Sequence, residues 1–207
     1  MASFITNVLI MQKISSQQQV RIIGGLWKRT PLTVVDAPGL RPTPDRVRET
    51  VFNWLSFLFQ QNWSQVRCLD LYAGSGALGF EAASRGAAQV TSVEAHPPAV
   101  AQLEKAKDKL QAQQIQIVRG DAKLIAQKLA AKGEQFDVIF LDPPFHHDIL
   151  SSILPHCVTL LKPDGLLYLE AEHTLTGDNL PPDLSNWQVI RADRAGKVFF
   201  HLLQRNN

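Results

Sequence analysis

The sequence predicts an α/β protein built on one open, twisted, mostly parallel sheet with helices on both faces. After Asn62, short apolar runs alternate with amphipathic stretches, the pattern of a parallel sheet wrapped by helices. The first of those runs feeds a glycine-rich turn that opens a helix, Gly74-Ser75-Gly76-Ala77-Leu78-Gly79. A chain of 207 residues that is 45% hydrophobic is long enough to bury one sizeable core.

Residues 1–18 are polar and aperiodic and read as a disordered tail. Residues 19–62 read as a basic N-terminal extension. Within it, Arg21-Ile22-Ile23-Gly24-Gly25 and Leu32-Thr33-Val34-Val35 are β-rich pieces flanking Trp27-Lys28-Arg29-Thr30-Pro31, a small β-hairpin. A helix follows, with Thr43 as its N-cap and Pro44 at its first position, where a missing N–H costs nothing. Val47, Val51, Trp54, Leu55 and Leu58 form its apolar stripe, and Arg46, Glu49 and Asn53 share a polar face. Residues 63–207 form the main domain. Strands are expected at 66–72, 89–94, 115–119, 136–141 and 165–170, and helices near 77–85, 98–113, 121–132 and 147–161, with Pro155 kinking the last. Trp187 to Arg194 and Lys197 to Leu203, around Ala195-Gly196, read as a closing antiparallel hairpin. The whole is Rossmann-like, with its ligand beyond the carboxyl ends of the strands.

Composition excludes several classes. No run approaches the roughly 18 apolar residues of a membrane span, and no basic residue precedes the apolar start Phe4 to Met11, so a soluble, cytoplasmic chain is expected. Cys68 and Cys157 both lie in apolar patterns and read as buried thiols. His146-His147-Asp148 lacks a third ligand pattern, and no metal is expected. The net charge of +2 conceals an asymmetry. Residues 1–50 carry seven Lys or Arg against three acids, and the remainder fourteen against sixteen. A basic surplus at one end suits contact with a polyanion, although such a surplus is also common on solvated surfaces.

The glycine turn fits two adenosine ligands. In a dinucleotide site the helix N-terminus holds a pyrophosphate and Glu94, ending the next strand, bonds a ribose hydroxyl. A sulfonium methyl donor, S-adenosylmethionine, uses the same geometry, with Ala73, Gly74, Ser75 and Gly76 letting the backbone approach closely. Asp70 favours the second ligand, because a carboxylate at the strand end repels a pyrophosphate and accepts from the amino group of a methionine moiety. Asp121, after the third strand, is placed to accept from the adenine amino group or, equally, to cap the next helix.

Asp142-Pro143-Pro144-Phe145 follows the fourth strand, so it meets the glycine turn at one cleft. The prolines stiffen the turn and remove two N–H donors, leaving carbonyls aimed at the cleft. An exocyclic –NH₂ is a poor nucleophile until acceptors hold its hydrogens. The Asp142 carboxylate and the Pro143 carbonyl suit that task, with Phe145 stacking on an extruded base.

These blocks, with Gly39 through Leu55, resemble the RsmD family of bacterial 16S rRNA (guanine-N2)-methyltransferases from about residue 20 to 205. The resemblance implies a class I methyltransferase fold, S-adenosylmethionine as cofactor, and as substrate the exocyclic N2 of guanine 966 in the 16S rRNA of an assembled small subunit. It also implies rRNA contact by Arg21, Lys28, Arg29, Arg41, Arg46 and Arg48, and a monomer is expected. One departure is Ala106-Lys107, where family members often have Asn-Leu, so that helix is assigned no binding role. The competing readings are an amino methyltransferase acting on DNA or a protein glutamine, a nicotinamide oxidoreductase, and a catalytically silent RNA-binding factor.

Overall fold

The computed structural model describes residues 18–35, 43–143, 147–176, 180 and 182–206. The expected tail lies almost wholly outside those residues. The first two strands, β1 (Gln19–Arg21) and β2 (Pro31–Thr33), pair antiparallel as the small hairpin. Helix α1 (Asp45–Leu58) leads into the main domain. There the elements run β3 (Arg67–Asp70), α2 (Ala77–Ser84), β4 (Gln89–Glu94), α3 (Pro97–Leu110), β5 (Ile115–Arg119), α4 (Ala122–Ala131), β6 (Phe136–Leu141), α5 (His147–Leu160) and β7 (Leu161–Ala171). A 3-10 turn, Pro182–Leu184, precedes β8 (Trp187–Ala195) and β9 (Val198–Arg205).

The seven-stranded sheet has the order β5-β4-β3-β6-β7-β9-β8. The five strands from β5 to β7 are parallel, and β9 and β8 close the edge antiparallel. Between β3 and β6 the strand order reverses, which opens a crevice at their carboxyl ends. The register pairs Asp70 with Phe140, so the turns after β3 and β6 leave the sheet side by side. Alternation along β6 feeds both faces. Val138 and Phe140 join the core under α1, α2 and α3, whereas Ile139 and Leu141 join the core under α4 and α5. Cys68 lies in the first core and Cys157 in the second, both as buried free thiols.

Helix α1 differs from expectation in two respects. Its N-cap is Pro44, with Asp45 the first helical residue, while the Thr43 hydroxyl bonds Asp142 instead of capping. Phe52 adds to the buried stripe, its ring 5.7 Å from that of Phe140, and Trp54 lies 5.4 Å from Phe200. The helix of the extension is thus part of the main core.

The hairpin is held to α2 by a buried acid. The Glu81 carboxylate, fully shielded from solvent, accepts from Ile23 N–H at 2.6 Å, Gly24 N–H at 2.8 Å and Arg85 Nε at 2.8 Å. One turn on, Ser84 Oγ accepts from Trp27 N–H at 2.9 Å and donates to the Gly24 carbonyl at 2.6 Å, and Leu26 N–H donates to the Ser84 carbonyl. This approach needs Gly25, which has φ +73°; a Cβ there would lie 1.9 Å from the Ser84 carbonyl oxygen. Arg85 also lies over the Phe52 ring at 5.2 Å, joining hairpin, α2 and α1. Glu81→Ala would strand two N–H donors and a guanidinium at once, so it is expected to lower unfolding free energy by about 3 kcal/mol, read as a fall in the urea midpoint.

Candidate active site

The turn after β3 is shaped by its glycines. Gly76 has φ +78° and caps α2, and Gly76 N–H closes the turn onto the Ala73 carbonyl at 2.6 Å. Ala73 N–H donates to the Val93 carbonyl, and Ser75 stands half-buried on the turn. Gly74 N–H donates to Glu94 Oε2 at 2.7 Å, and His96 N–H to Glu94 Oε1 at 2.8 Å, which fixes the acid at the end of β4 against the turn. Each oxygen of Glu94 keeps a lone pair for a further donor. Asp70 is buried beneath the turn and accepts from Gly79 N–H at 3.2 Å. Burial pushes its carboxyl up to about 7, an effect that the Gly79 N–H opposes and the Glu94 charge reinforces. Two buried polar atoms beside these acids, Ser92 Oγ and His96 Nδ1, have no partner among the described residues.

At the end of β6, Asp142 is half-buried and Pro143 buried. Pro144 and Phe145 lie outside the described residues, as does Arg41. Thr43 Oγ1 donates to Asp142 Oδ2 at 3.2 Å, which brings the segment before α1 directly to the turn. The neighbouring strand contributes residues that the sequence did not single out. Register places Leu141 beside Leu169, so Glu170 follows next to Asp142 at the carboxyl ends of the two strands. Tyr168 Oη donates to Glu170 Oε1 at 2.7 Å. Burial raises the pKa of Asp142 well above the carboxylate range, reinforced by the Glu170 charge; burial also raises Glu170, partly offset by its hydrogen bonds to Tyr168, Thr43 and Asp142.

The remaining expected residues separate. Asp121 takes the capping role, accepting from Leu124 N–H at 2.9 Å. Lys28, Arg29 and Arg46 are exposed, and Arg21 is exposed while pairing with Asp45 at 3.3 Å. Arg48 corrects the expectation of an RNA-facing side chain, because it is completely buried. Its guanidinium donates to the Arg21 carbonyl at 2.8 Å, the Thr43 carbonyl at 3.3 Å and Asp45 Oδ1 at 2.7 Å. It is a brace between β1 and the start of α1.

With the crevice lined in this way, comparison with known proteins is informative. Residues 20–204 match the family model described as Conserved hypothetical protein 95. The chain is 41% identical to ribosomal RNA small subunit methyltransferase D of Escherichia coli strain K12 over 92% of each chain. It is 37% identical to the Haemophilus influenzae protein of the same name, over 94% of this chain and 98% of that one. The solved structure of Escherichia coli yhhF superposes with a TM-score of 0.77 at 37% identity, covering 91% of this chain and 99% of the other. A Thermus thermophilus 16S rRNA N2 G1207 methyltransferase shares the fold, with a TM-score of 0.67 at 22% identity over 92% of this chain and 50% of that one. On this footing the chain belongs to the RsmD family, that of ribosomal RNA small subunit methyltransferase D.

Proposed function

We propose that the protein transfers a methyl group from S-adenosylmethionine to the exocyclic N2 of a guanine in the 16S rRNA of the small ribosomal subunit, by family resemblance guanine 966. The observation that carries this reading is the convergence, at one crevice, of the glycine turn with Asp70 and Glu94 and of the Asp142-Pro143 turn. The residues present fit the donor. Glu94 keeps acceptor capacity for ribose hydroxyls, Asp70 offers a buried carboxylate to an ammonium group, and the unpartnered Ser92 Oγ and His96 Nδ1 lie in the same region. When bound, the donor supplies an electrophilic methyl group on a sulfonium.

The protein's own part is to bind, orient and accept. Asp142, steadied by Thr43, takes one hydrogen of the target amine, and the Pro143 carbonyl takes the other, concentrating the nitrogen lone pair toward the donor. Phe145 is assigned to stack on the base, and Asp142, Pro143, Pro144 and Phe145 are the proposed acceptor-side residues. Asp121, already a helix cap through Oδ1, has Oδ2 left for the adenine amino group. Lys28, Arg29 and Arg46, with Arg21 and Arg41, are proposed to hold RNA phosphates, while Arg48 is not in this set.

Mass spectrometry of small-subunit rRNA from a deletion strain should show loss of one N2-methylguanine, restored by the wild type and not by Asp142→Ala. Retained binding of S-adenosylhomocysteine by Asp142→Ala in calorimetry would place the defect on the acceptor side. The donor side carries a pH signature. Asp70 must be ionised to meet an ammonium group, so affinity for S-adenosylhomocysteine should weaken by about tenfold per pH unit below about 7 and level off above it. Asp70→Asn should bind weakly throughout and flatten that dependence. On the RNA side, a Lys28→Ala, Arg29→Ala double variant should weaken RNA binding and lower the salt slope by roughly two, with donor affinity unchanged.

A further inference from the structure

Methylating a neutral amine without charging it requires that a proton leave. The amine nitrogen forms its bond to the methyl carbon, the carbon–sulfur bond breaks with its electrons retained by sulfur, and one N2 proton must find an acceptor. Resting on the function proposed above, we propose that Asp142 and Glu170 form a carboxyl pair that holds one proton between them and takes the departing proton as its second. Glu170 is then the positioning residue of the pair.

The geometry supplies the argument. Asp142 and Glu170 stand side by side at the carboxyl ends of neighbouring parallel strands, where two negative charges would repel and a shared proton relieves the repulsion. The remaining contacts fix the pair from both ends. Tyr168 Oη donates to Glu170 Oε1 at 2.7 Å, and Thr43 Oγ1 donates to Asp142 Oδ2 at 3.2 Å. Glu170 is only 6% exposed and Tyr168 completely buried, so the bare double anion would be costly. The other charged groups around the pair are Asp70 on β3, which opposes further negative charge, and Arg48 on α1, whose field reaches Tyr168. The shared proton belongs to the pair, and the pair carries a single negative charge.

A pair with one proton and one negative charge can accept another proton, which leaves both carboxyls neutral. Deprotonating it to two charges would drive the carboxyls apart and turn Asp142 from the amine. The raised pKa of both groups places that loss above the ordinary carboxylate range, so it falls on the alkaline side of the rate profile. Glutamine at 170 would keep a donor toward Asp142 and cannot titrate.

The test compares wild type, Glu170→Gln and Glu170→Ala on small subunits, with thermal midpoints measured for each. Infrared spectra at pH 7 are recorded for the wild type, Glu170→Gln and Asp142→Asn without RNA or donor. One protonated-carboxyl band present in the wild type should vanish in both Glu170→Gln and Asp142→Asn. Glu170→Gln should lower kcat by about threefold and lose the alkaline fall that this pair causes, and Glu170→Ala should lower kcat by about tenfold or more with KM little changed. Loss of no band in either variant overturns the proposal, whatever the enzyme methylates. So does Glu170→Gln as slow as Glu170→Ala, or a Glu170→Gln alkaline limb identical to the wild type. If the wild type modifies a target other than guanine N2, the functional reading falls, while the infrared result still decides whether the pair holds a proton.

Discussion

The buried Glu81 carboxylate is the contact on which the arrangement of the molecule turns. It sits in α2, the helix that the glycine turn opens, and receives the hairpin's Ile23 and Gly24 N–H groups together with Arg85. A carboxylate taken out of water is costly unless its oxygens are well supplied with donors, and here three donors converge on it. One anion thus fastens the basic hairpin to the same helix that the glycine turn opens. The segment before α1 reaches the turn after β6 independently, through Thr43 and Asp142. The N-terminal extension is therefore attached on both sides of the crevice, to the helix after the glycine turn and to the Asp142 turn.

Much of this was legible in the sequence, because period and punctuation decide it locally. β4, β5 and β6 end where the apolar runs do, and α2 begins where Gly76 leaves the right-handed region. Residues set by tertiary contact were not legible. Arg48 looks like one more cation in a basic segment, yet three acceptors from the surrounding chain enclose it. Thr43 has the composition of an N-cap and serves a carboxyl 99 positions away. Signals existed for two of the missed residues. Glu81 is the one acid in the otherwise small and apolar α2, which marks a charge with a buried partner. Glu170 closes an apolar run just as Asp70, Glu94 and Asp142 close or follow theirs, and that recurrence is a signal in the sequence.

Read across the sheet, those four acids form an edge. Asp70 and Glu94 end β3 and β4, Asp142 follows β6, and Glu170 is the penultimate residue of β7. Burial raises the proton affinity of three of them, reinforced at Asp70 and Asp142 by neighbouring negative charge, so the edge holds protons that isolated carboxylates would release. Such an edge attracts a cation and repels a polyanion. The exposed Lys28 and Arg29 of the hairpin offer, in the proposed function, the attraction for phosphates that the crevice itself lacks.

The acid edge also bears on turnover. A sulfonium that has given up its methyl group is a neutral thioether, so the spent donor has lost the charge that the carboxyls favoured. In the proposed function these acids have less hold on the spent donor than on the fresh one, and simple electrostatics biases exchange between successive cycles forward.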